Sequence, residues 1–338
     1  QGSWTMTDGT AASRGRTPVL SVRDLRVTFP TSTGPAPAVR GVDFDLYSGE
    51  ALAIVGESGS GKSVTMLAML GLLGTAAVTG SAKFGDTELV GLDPAKLRAI
   101  RGSKVSMIFQ DPMTSLNPVL TVGRQLSLVM RAHDPKLSKA AAVARAVDLF
   151  EQVAISRPQT RVHSYPHELS GGMRQRVMIA MAIANRPEVL IADEPTTALD
   201  VTVQAQIMEL LGNLREEHNL ALVLITHDLG VVAGATDRVN VMYAGRVVET
   251  GPVGAVFRVP VHPYTRGLLE CLPRLDARQE VQVSIPGMAA TPQSLPSGCP
   301  FHPRCRYAIE SCADVEPSLE PIGETLAACS VMAAVAAR

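Results

Sequence analysis

Strong net charge and long apolar runs are both missing from this chain of 338 residues. Its 31 basic and 32 acidic residues give a formal net charge of −1, so the composition offers no general attraction for nucleic acid or another polyanion. A membrane-spanning helix needs about 20 consecutive apolar residues. The longest apolar stretch, residues 64–78, is interrupted by threonines and glycines. We interpret it as a buried helix and expect no nucleic-acid partner.

A secretory signal is also absent, because residues 1–16 contain no apolar core. Residues 1–5, ahead of Met6, have the character of a tag remnant, and we expect residues 1–18 to combine that remnant with a disordered N terminus. The chain is therefore expected to be cytosolic, with its five cysteines reduced unless they bind something. Its length suggests roughly two domains.

The most specific feature that is present is the string Gly-Glu-Ser-Gly-Ser-Gly-Lys-Ser at residues 56–63. It matches the phosphate-binding P-loop, and it lies between an apolar strand at residues 51–55 and an apolar helix at residues 64–73. Backbone N–H groups of such a loop surround phosphates, Lys62 reaches the β- and γ-phosphates, and Ser63 places a hydroxyl on Mg²⁺. The candidate nucleotide ligands are Gly56, Glu57, Ser58, Gly59, Ser60, Gly61, Lys62, Ser63 and Val64.

Polar side chains at the ends of further apolar strands complete the chemistry of an ATPase. Asp193 ends the run at residues 189–192 and is predicted to hold Mg²⁺, while Glu194 is predicted to act as general base on the attacking water. His227 follows another strand and could contact the γ-phosphate. Gln110 follows a third strand and could contact Mg²⁺ or the water. Taken singly, each could instead be an ordinary polar strand end.

A second anion site is predicted at Ser170, Gly171 and Gly172, which precede an apolar helix. Such a helix start presents backbone donors to a phosphate. Because one P-loop already surrounds its own nucleotide, a second site makes sense if it serves the nucleotide of another subunit. We therefore predict a head-to-tail dimer with ATP between the subunits, and Asp200 near that seam.

Together these motifs resemble the ATP-binding subunit of an ABC transporter over residues 19–250. The resemblance implies an α/β fold of the P-loop NTPase class, with a RecA-like parallel core, an antiparallel β edge and a helical subdomain at about residues 111–185. It assigns Walker A to residues 56–63, the Q-loop to Gln110, the signature to residues 170–172, Walker B to Asp193 and Glu194, the D-loop to Asp200 and the switch histidine to His227. It also makes Phe29 the aromatic ring that stacks on the nucleotide, although a core phenylalanine is the alternative.

Three further stretches are similar to the oligopeptide/dipeptide importer branch, which also includes nickel-type systems. They are residues 109–118, 242–245 and 263–266. The resemblance implies two transmembrane permease subunits, a second and non-identical ATPase subunit, and an extracytoplasmic substrate-binding protein. It also implies a peripheral position at the cytoplasmic face of the bacterial plasma membrane.

Four cysteines, Cys299, Cys305, Cys312 and Cys329, cluster in a predicted C-terminal extension at residues 251–338. Their spacing is neither that of common zinc sites nor that of a bacterial ferredoxin run. Chemistry alone leaves an iron–sulfur cluster, zinc and unliganded thiols open, with the nearby Arg304 and Arg306 available to offset thiolate charge. Similarity to some dipeptide-importer ATPases favours a [4Fe–4S] cluster.

Two other functions share these nucleotide motifs. One is a soluble ABC ATPase that acts on nucleic acid or ribosomes, which the near-neutral charge and the single nucleotide module disfavour. The other is a nucleotide-gated regulatory module that senses redox state through its cysteines.

Overall fold

The computed structural model describes residues 16–197, 199–272 and 284–332. Most of the predicted N-terminal remnant, and Ala198 beside the predicted D-loop, lie outside the described residues. The strands are β1 (Leu20–Thr31), β2 (Gly34–Leu46), β3 (Ala51–Val55), β4 (Ala77–Phe84), β5 (Thr87–Glu88), β6 (Val105–Ile108), β7 (Val189–Asp193), β8 (Ala221–Thr226), β9 (Arg238–Tyr243), β10 (Arg246–Pro252), β11 (Glu320–Ile322) and β12 (Thr325–Ala327).

The helices are likewise numbered in chain order. They are α1 (Lys62–Met69), α2 (Pro94–Ile100), α3 (Pro112–Ser115), α4 (Val122–His133), α5 (Lys139–Gln152), α6 (Pro158–Arg161), α7 (Gly171–Ile183), α8 (Val201–His218), α9 (Leu229–Ala235), α10 (Val253–Arg258) and α11 (Pro263–Glu270). No helix within the described ranges combines the length and apolarity that crossing a bilayer requires.

The chain packs as two compact units, with the second formed by residues 91–226 and the first by the segments on either side. The predicted boundaries, a nucleotide-binding domain over residues 19–250 and an extension over residues 251–338, stay a prediction.

In the first unit, an antiparallel sheet has the order β2-β1-β4-β5. Strands β1 and β2 form a long hairpin whose closing pair is Thr31 and Gly34. Alternate residues of β1 are buried, as its polar–apolar alternation predicts.

The other strands of the first unit carry the P-loop and reach into the C-terminal region. Buried β3 pairs in parallel with β9, and β9 pairs antiparallel with β10. Strand β10 then pairs with β12, where Glu249 lies opposite Ala327. Strand β12 thus joins the strands that support the nucleotide loop.

The second unit contains the parallel strands β6, β7 and β8, with Ile108 opposite Ala192 and Asp193 opposite Ile225. Every residue of β7 and β8 is buried, as their unbroken apolar runs predict for strands covered on both faces. In the sequence, apolar residues recur at three- and four-residue spacing over residues 122–130 and 140–153, which predicts two helices. The structure confirms them as α4 and α5.

Helix α1 is shorter than the helix expected over residues 64–73. It ends at Met69, and Gly71 follows with a φ of 60°. A glycine in this left-handed conformation just past the last turn is a common helix terminator, so the apolar run continues beyond the helix.

Candidate nucleotide site and its support

The P-loop leaves β3 through Gly56, where a side chain has no room. A Cβ at this position would lie 2.2 Å from the carbonyl oxygen of Met242. Lys62 begins α1 with its side chain buried, at 5% exposure. Its Nζ donates to the carbonyl oxygens of Gly56 at 2.7 Å and Glu57 at 2.8 Å. The loop therefore has a fixed, curled backbone with an ammonium group inside it.

The other predicted nucleotide ligands of the first unit differ in exposure. Ser58 and Gly59 are exposed, Ser63 is half-buried in the first turn of α1, and Ser60 is buried, with its carbonyl oxygen accepting from the Gly245 N–H at 3.0 Å. Phe29 lies on β1 and is half-buried. Its ring is therefore not enclosed in the core, and stacking of Phe29 on a nucleotide base stays a prediction.

In the second unit, the structure brings Glu194 and Gln110 together. Asp193 ends β7 and is 5% exposed, and Glu194 follows it in a left-handed conformation with a φ of 46°. The Glu194 Oε2 accepts from the Gln110 Nε2 at 2.8 Å and from the Thr197 hydroxyl at 2.9 Å. The Q-loop amide thus holds the predicted general base directly. Sequence reasoning did not anticipate the contact from Thr197.

The signature residues form the start of α7. The Ser170 Oγ accepts from the Met173 N–H at 3.3 Å, so this serine is the N-cap. A Cβ on Gly172 would lie 2.8 Å from Cγ1 of Val203 in α8. Asp200 caps α8 by accepting from the Val203 N–H at 3.0 Å. Ser170, Gly171 and Asp200 are all exposed, which leaves two neighbouring helix starts open to a partner.

His227 is exposed and directly follows β8 in the chain, as predicted. The next residue, Asp228, caps α9 by accepting from the Gly230 N–H at 2.8 Å. The turn that carries the histidine is therefore fixed by the start of a helix.

Comparison with known proteins shows which families share this combination of motifs. A family model described as ABC transporter matches residues 39–197, and one described as oligopeptide/dipeptide transporter, C-terminal region, matches residues 248–312. The oligopeptide transport ATP-binding protein OppD of Escherichia coli (strain K12) is 53% identical over 312 residues, which cover 92% of this chain and 92% of that protein. The chain belongs to the ABC transporter ATP-binding proteins. Its activity is that of an ATPase.

Further relatives agree with this assignment. The oligopeptide transport ATP-binding protein AppD of Bacillus subtilis (strain 168) is 50% identical over 304 residues, covering 89% of this chain and 92% of that protein. The ATP-binding cassette MJ0796, solved as a dimer in a post-hydrolysis state bound to ADP and Pi, superimposes with a TM-score of 0.62 at 30% identity, covering 69% of this chain and 98% of that one. The predicted fold class, a P-loop NTPase with mixed sheets, is confirmed.

The four clustered cysteines of this ABC ATPase lie near one another without forming a metal site. Burial raises the pKa of the Cys299 thiol to about 11, and the other three cysteines raise it further. The Cys299 N–H donates to the Cys312 carbonyl oxygen at 2.8 Å. Within the described ranges, no group of three or more potential ligands is placed to hold a metal ion. As they are placed, the described residues therefore do not support the predicted iron–sulfur cluster.

The arginines near these thiols are also only partly those expected. Burial raises the pKa of Cys305 and that of Cys329. The positive charge of Arg306 partly opposes this rise at Cys305, and that of Arg266 partly opposes it at Cys329. Arg304 instead pairs with Glu57 of the P-loop. That Arg304 offsets charge at the cysteines stays a prediction.

Sequence reasoning missed the support that the C-terminal region gives to the P-loop. The fully buried Tyr264 accepts a hydrogen bond at its hydroxyl from the Glu57 backbone N–H, at 2.7 Å. The only signal for it was that residues 263–266 stood out as typical of the importer branch. In this structure, that stretch holds the nucleotide loop through the hydrogen bond from the Glu57 backbone to Tyr264.

A buried histidine fixes the start of the helix that carries Tyr264. The His262 Nδ1 accepts from the Tyr264 N–H at 3.1 Å, and Glu249 accepts from the backbone N–H groups of Val261 and His262. Burial lowers the pKa of His262 to about 3, and burial raises that of Glu249. At neutral pH the imidazole is therefore neutral and acts as the N-cap of α11.

We expect this histidine to make the protein less stable in mild acid. The unfolded chain takes up a proton at His262 near pH 6.5 and the folded chain only near pH 3, so stability is lost as pH falls through that window. Between pH 7.5 and 5.5 the melting temperature should fall about 2 °C more in the native protein than in His262→Asn, which keeps a capping oxygen but does not titrate.

Thermal melts at the two pH values measure this difference. Glu249 acts in the opposite direction because its pKa is raised, and it is present in both proteins, so its share cancels. Equal pH dependence in both proteins would contradict the assignment.

Proposed function

We propose that this ABC ATPase energises the uptake of oligopeptides or dipeptides through a membrane importer. The observation that carries the proposal is the match to oligopeptide transport ATP-binding proteins over about nine tenths of the chain. The match of residues 248–312 to an oligopeptide/dipeptide transporter region supports it. That region includes Tyr264, so the segment typical of the branch also contacts the nucleotide loop.

The proposed chemistry is in-line attack of water on the γ-phosphate of ATP. Glu194 takes the proton from the water, and Gln110 and Thr197 hold its carboxylate in place through the hydrogen bonds to Oε2. Lys62 stabilises charge on the phosphates, and His227 orients the γ-phosphate and the water. Phe29 stacks on the nucleotide base.

The oxygen donors proposed for Mg²⁺ are Ser63, Asp193 and Gln110. A hydroxyl, a carboxylate and an amide oxygen suit this ion, which takes oxygen ligands. When bound, Mg²⁺ neutralises charge on the transferred phosphate. The buried position of Asp193, at the end of a buried strand, fits a carboxylate that is held for an ion.

We propose a second ATPase subunit, not identical to this one, as the partner in a head-to-tail dimer. In that dimer Ser170, Gly171 and Gly172 would cover the nucleotide bound by the partner, and Asp200 would lie at the seam. Support comes from the exposure of both helix starts and from the similarity to the cassette that was solved as a dimer.

We place the contact with two permease subunits on the segment that follows Gln110. Phe109, directly before Gln110, and Met113, within the segment, are exposed apolar side chains, at 43% and 60%. Arg174 of α7 donates to the Met113 sulfur at 2.7 Å. A permease helix seated on this segment would thus sense both Gln110 and the signature helix. The transporter would include an extracytoplasmic substrate-binding protein, with this subunit at the cytoplasmic face of the plasma membrane.

We also propose that the cysteine-rich region accepts a [4Fe–4S] cluster, with zinc as the alternative metal. Support is the mutual proximity of Cys299, Cys305, Cys312 and Cys329 and the presence of two arginines near them. Because the thiols do not form a ligand group as they stand, loading requires their side chains to rotate. About four irons per chain after anaerobic purification would support the cluster. A metal-free sample would contradict it.

The functional proposal is tested by purifying the full chain from its native membranes. We expect two membrane-spanning subunits and a second ATPase to accompany it, and oligopeptides or dipeptides to stimulate hydrolysis in the complex reconstituted with its substrate-binding protein. Stimulation by nickel and not by peptides would redirect the substrate class. Recovery with ribosomes or nucleic acid, in a salt-sensitive complex, would overturn the importer assignment.

A further inference from the structure

The second residue of the P-loop forms an ion pair with the cysteine-rich region. Arg304 Nη1 lies 2.7 Å from Glu57 Oε2, and Nη2 lies 3.0 Å from Oε1. The side chain of Arg304 is 5% exposed and that of Glu57 is 30% exposed. A two-pronged contact of this kind fixes both position and orientation of the carboxylate.

The arginine is itself held rigidly. Its guanidinium carbon lies 5.9 Å from the ring centres of both Tyr243 and Phe301, and its Nε donates to the Pro286 carbonyl oxygen at 3.0 Å. Since the neighbouring rings and carbonyl leave it little freedom, Arg304 presents a preorganised cation to the loop.

A carboxylate at this position is otherwise unfavourable for the known reaction. The loop must bind a triphosphate, and a nearby negative charge weakens the binding of an anion. The backbone N–H of Glu57 also donates a hydrogen bond to the Tyr264 hydroxyl. The C-terminal region therefore contacts both the side chain and the main chain of this residue.

We propose that Arg304 is a positioning residue for ATP. It neutralises and orients the carboxylate of Glu57, so that the C-terminal region sets the affinity of the P-loop for the nucleotide. The plainer alternative is that the ion pair only attaches this region to the core. The proposal and the alternative differ in one expected result. Under the proposal, removing the charge of Glu57 restores the affinity for ATP that is lost when Arg304 is replaced.

The first experiment measures ATP affinity and turnover of full-length variants. Arg304→Met should raise the Kd and KM for ATP by about tenfold with kcat within about twofold, because the carboxylate is then unpaired beside the phosphates. Glu57→Gln should bind ATP about two- to threefold more tightly, and the double variant should return to within about twofold of the native protein. Arg258→Met, which breaks an exposed pair with Glu324 in the C-terminal extension, is the matched control and should change nothing.

A substitution on the loop side covers the case in which Arg304→Met does not fold. Glu57→Asp keeps the charge but shortens the side chain, so the two-pronged contact is lost. We expect its Kd for ATP to rise severalfold while that of Glu57→Gln falls. Equal Kd values for these two variants, or a double variant as weak as Arg304→Met, would overturn the proposal and leave attachment as the role of the pair.

Discussion

Replacing Glu194 with glutamine is expected to lower ATP hydrolysis by about 10²- to 10⁴-fold while ATP binding is retained. The Glu194 Oε2 accepts from Gln110 and Thr197, and a glutamine carbonyl oxygen can accept the same two bonds. The geometry is therefore kept and only the proton acceptor is lost. In the assembled transporter, the variant should accumulate with ATP bound between closed subunits.

Phosphate release and nucleotide binding, measured on the same preparation, separate the two effects. Glu188→Gln is the matched control, since Glu188 precedes the same strand and its side chain forms an exposed ion pair with Lys104. It should hydrolyse ATP at the native rate. Normal turnover by the Glu194 variant would refute the assignment of the general base.

Replacing Ser170 with aspartate is expected to abolish cooperation between subunits. Aspartate caps a helix as well as serine does, so α7 should remain intact. A negative charge would then face the triphosphate of the partner subunit, and hydrolysis by the assembled pair should fall by on the order of 100-fold. Binding of ATP to the isolated chain should be unaffected, because Lys62 and the P-loop are unchanged.

Ser170→Asn provides the comparison, because asparagine also caps the helix but carries no charge. Sedimentation or light scattering with ATP, together with hydrolysis rates, measures the outcome. We expect the aspartate variant to lose ATP-dependent association and the asparagine variant to lose much less. If both variants associate and hydrolyse alike, the signature does not face a nucleotide.

The contacts with the C-terminal region change how the importer-branch motifs are understood. Tyr264 and Arg304 both bind Glu57, one through its backbone and one through its carboxylate. The Met242 carbonyl oxygen closes the space beside Gly56. Two of the three stretches typical of the transporter branch, residues 242–245 and 263–266, thus contact the nucleotide loop.

The sequence by itself determined the nucleotide chemistry and the parallel core. The P-loop, the apolar strand before Asp193 and the helix start at Ser170 are contiguous signals, because a strand, a tight loop and a helix cap are each set by neighbouring residues. Periodicity and unbroken apolar runs were enough to locate β7, β8, α4 and α5.

Only the tertiary structure decided which of these residues meet and which do not. Glu57 and Arg304 are 247 positions apart, and Gln110 and Glu194 are 84 apart, so no local pattern connects them. The cysteines show the converse: the resemblance to dipeptide-importer ATPases favoured a metal centre, but the described fold places the thiols near each other without a ligand group. Side-chain direction after packing, which spacing along the chain does not encode, settles such contacts.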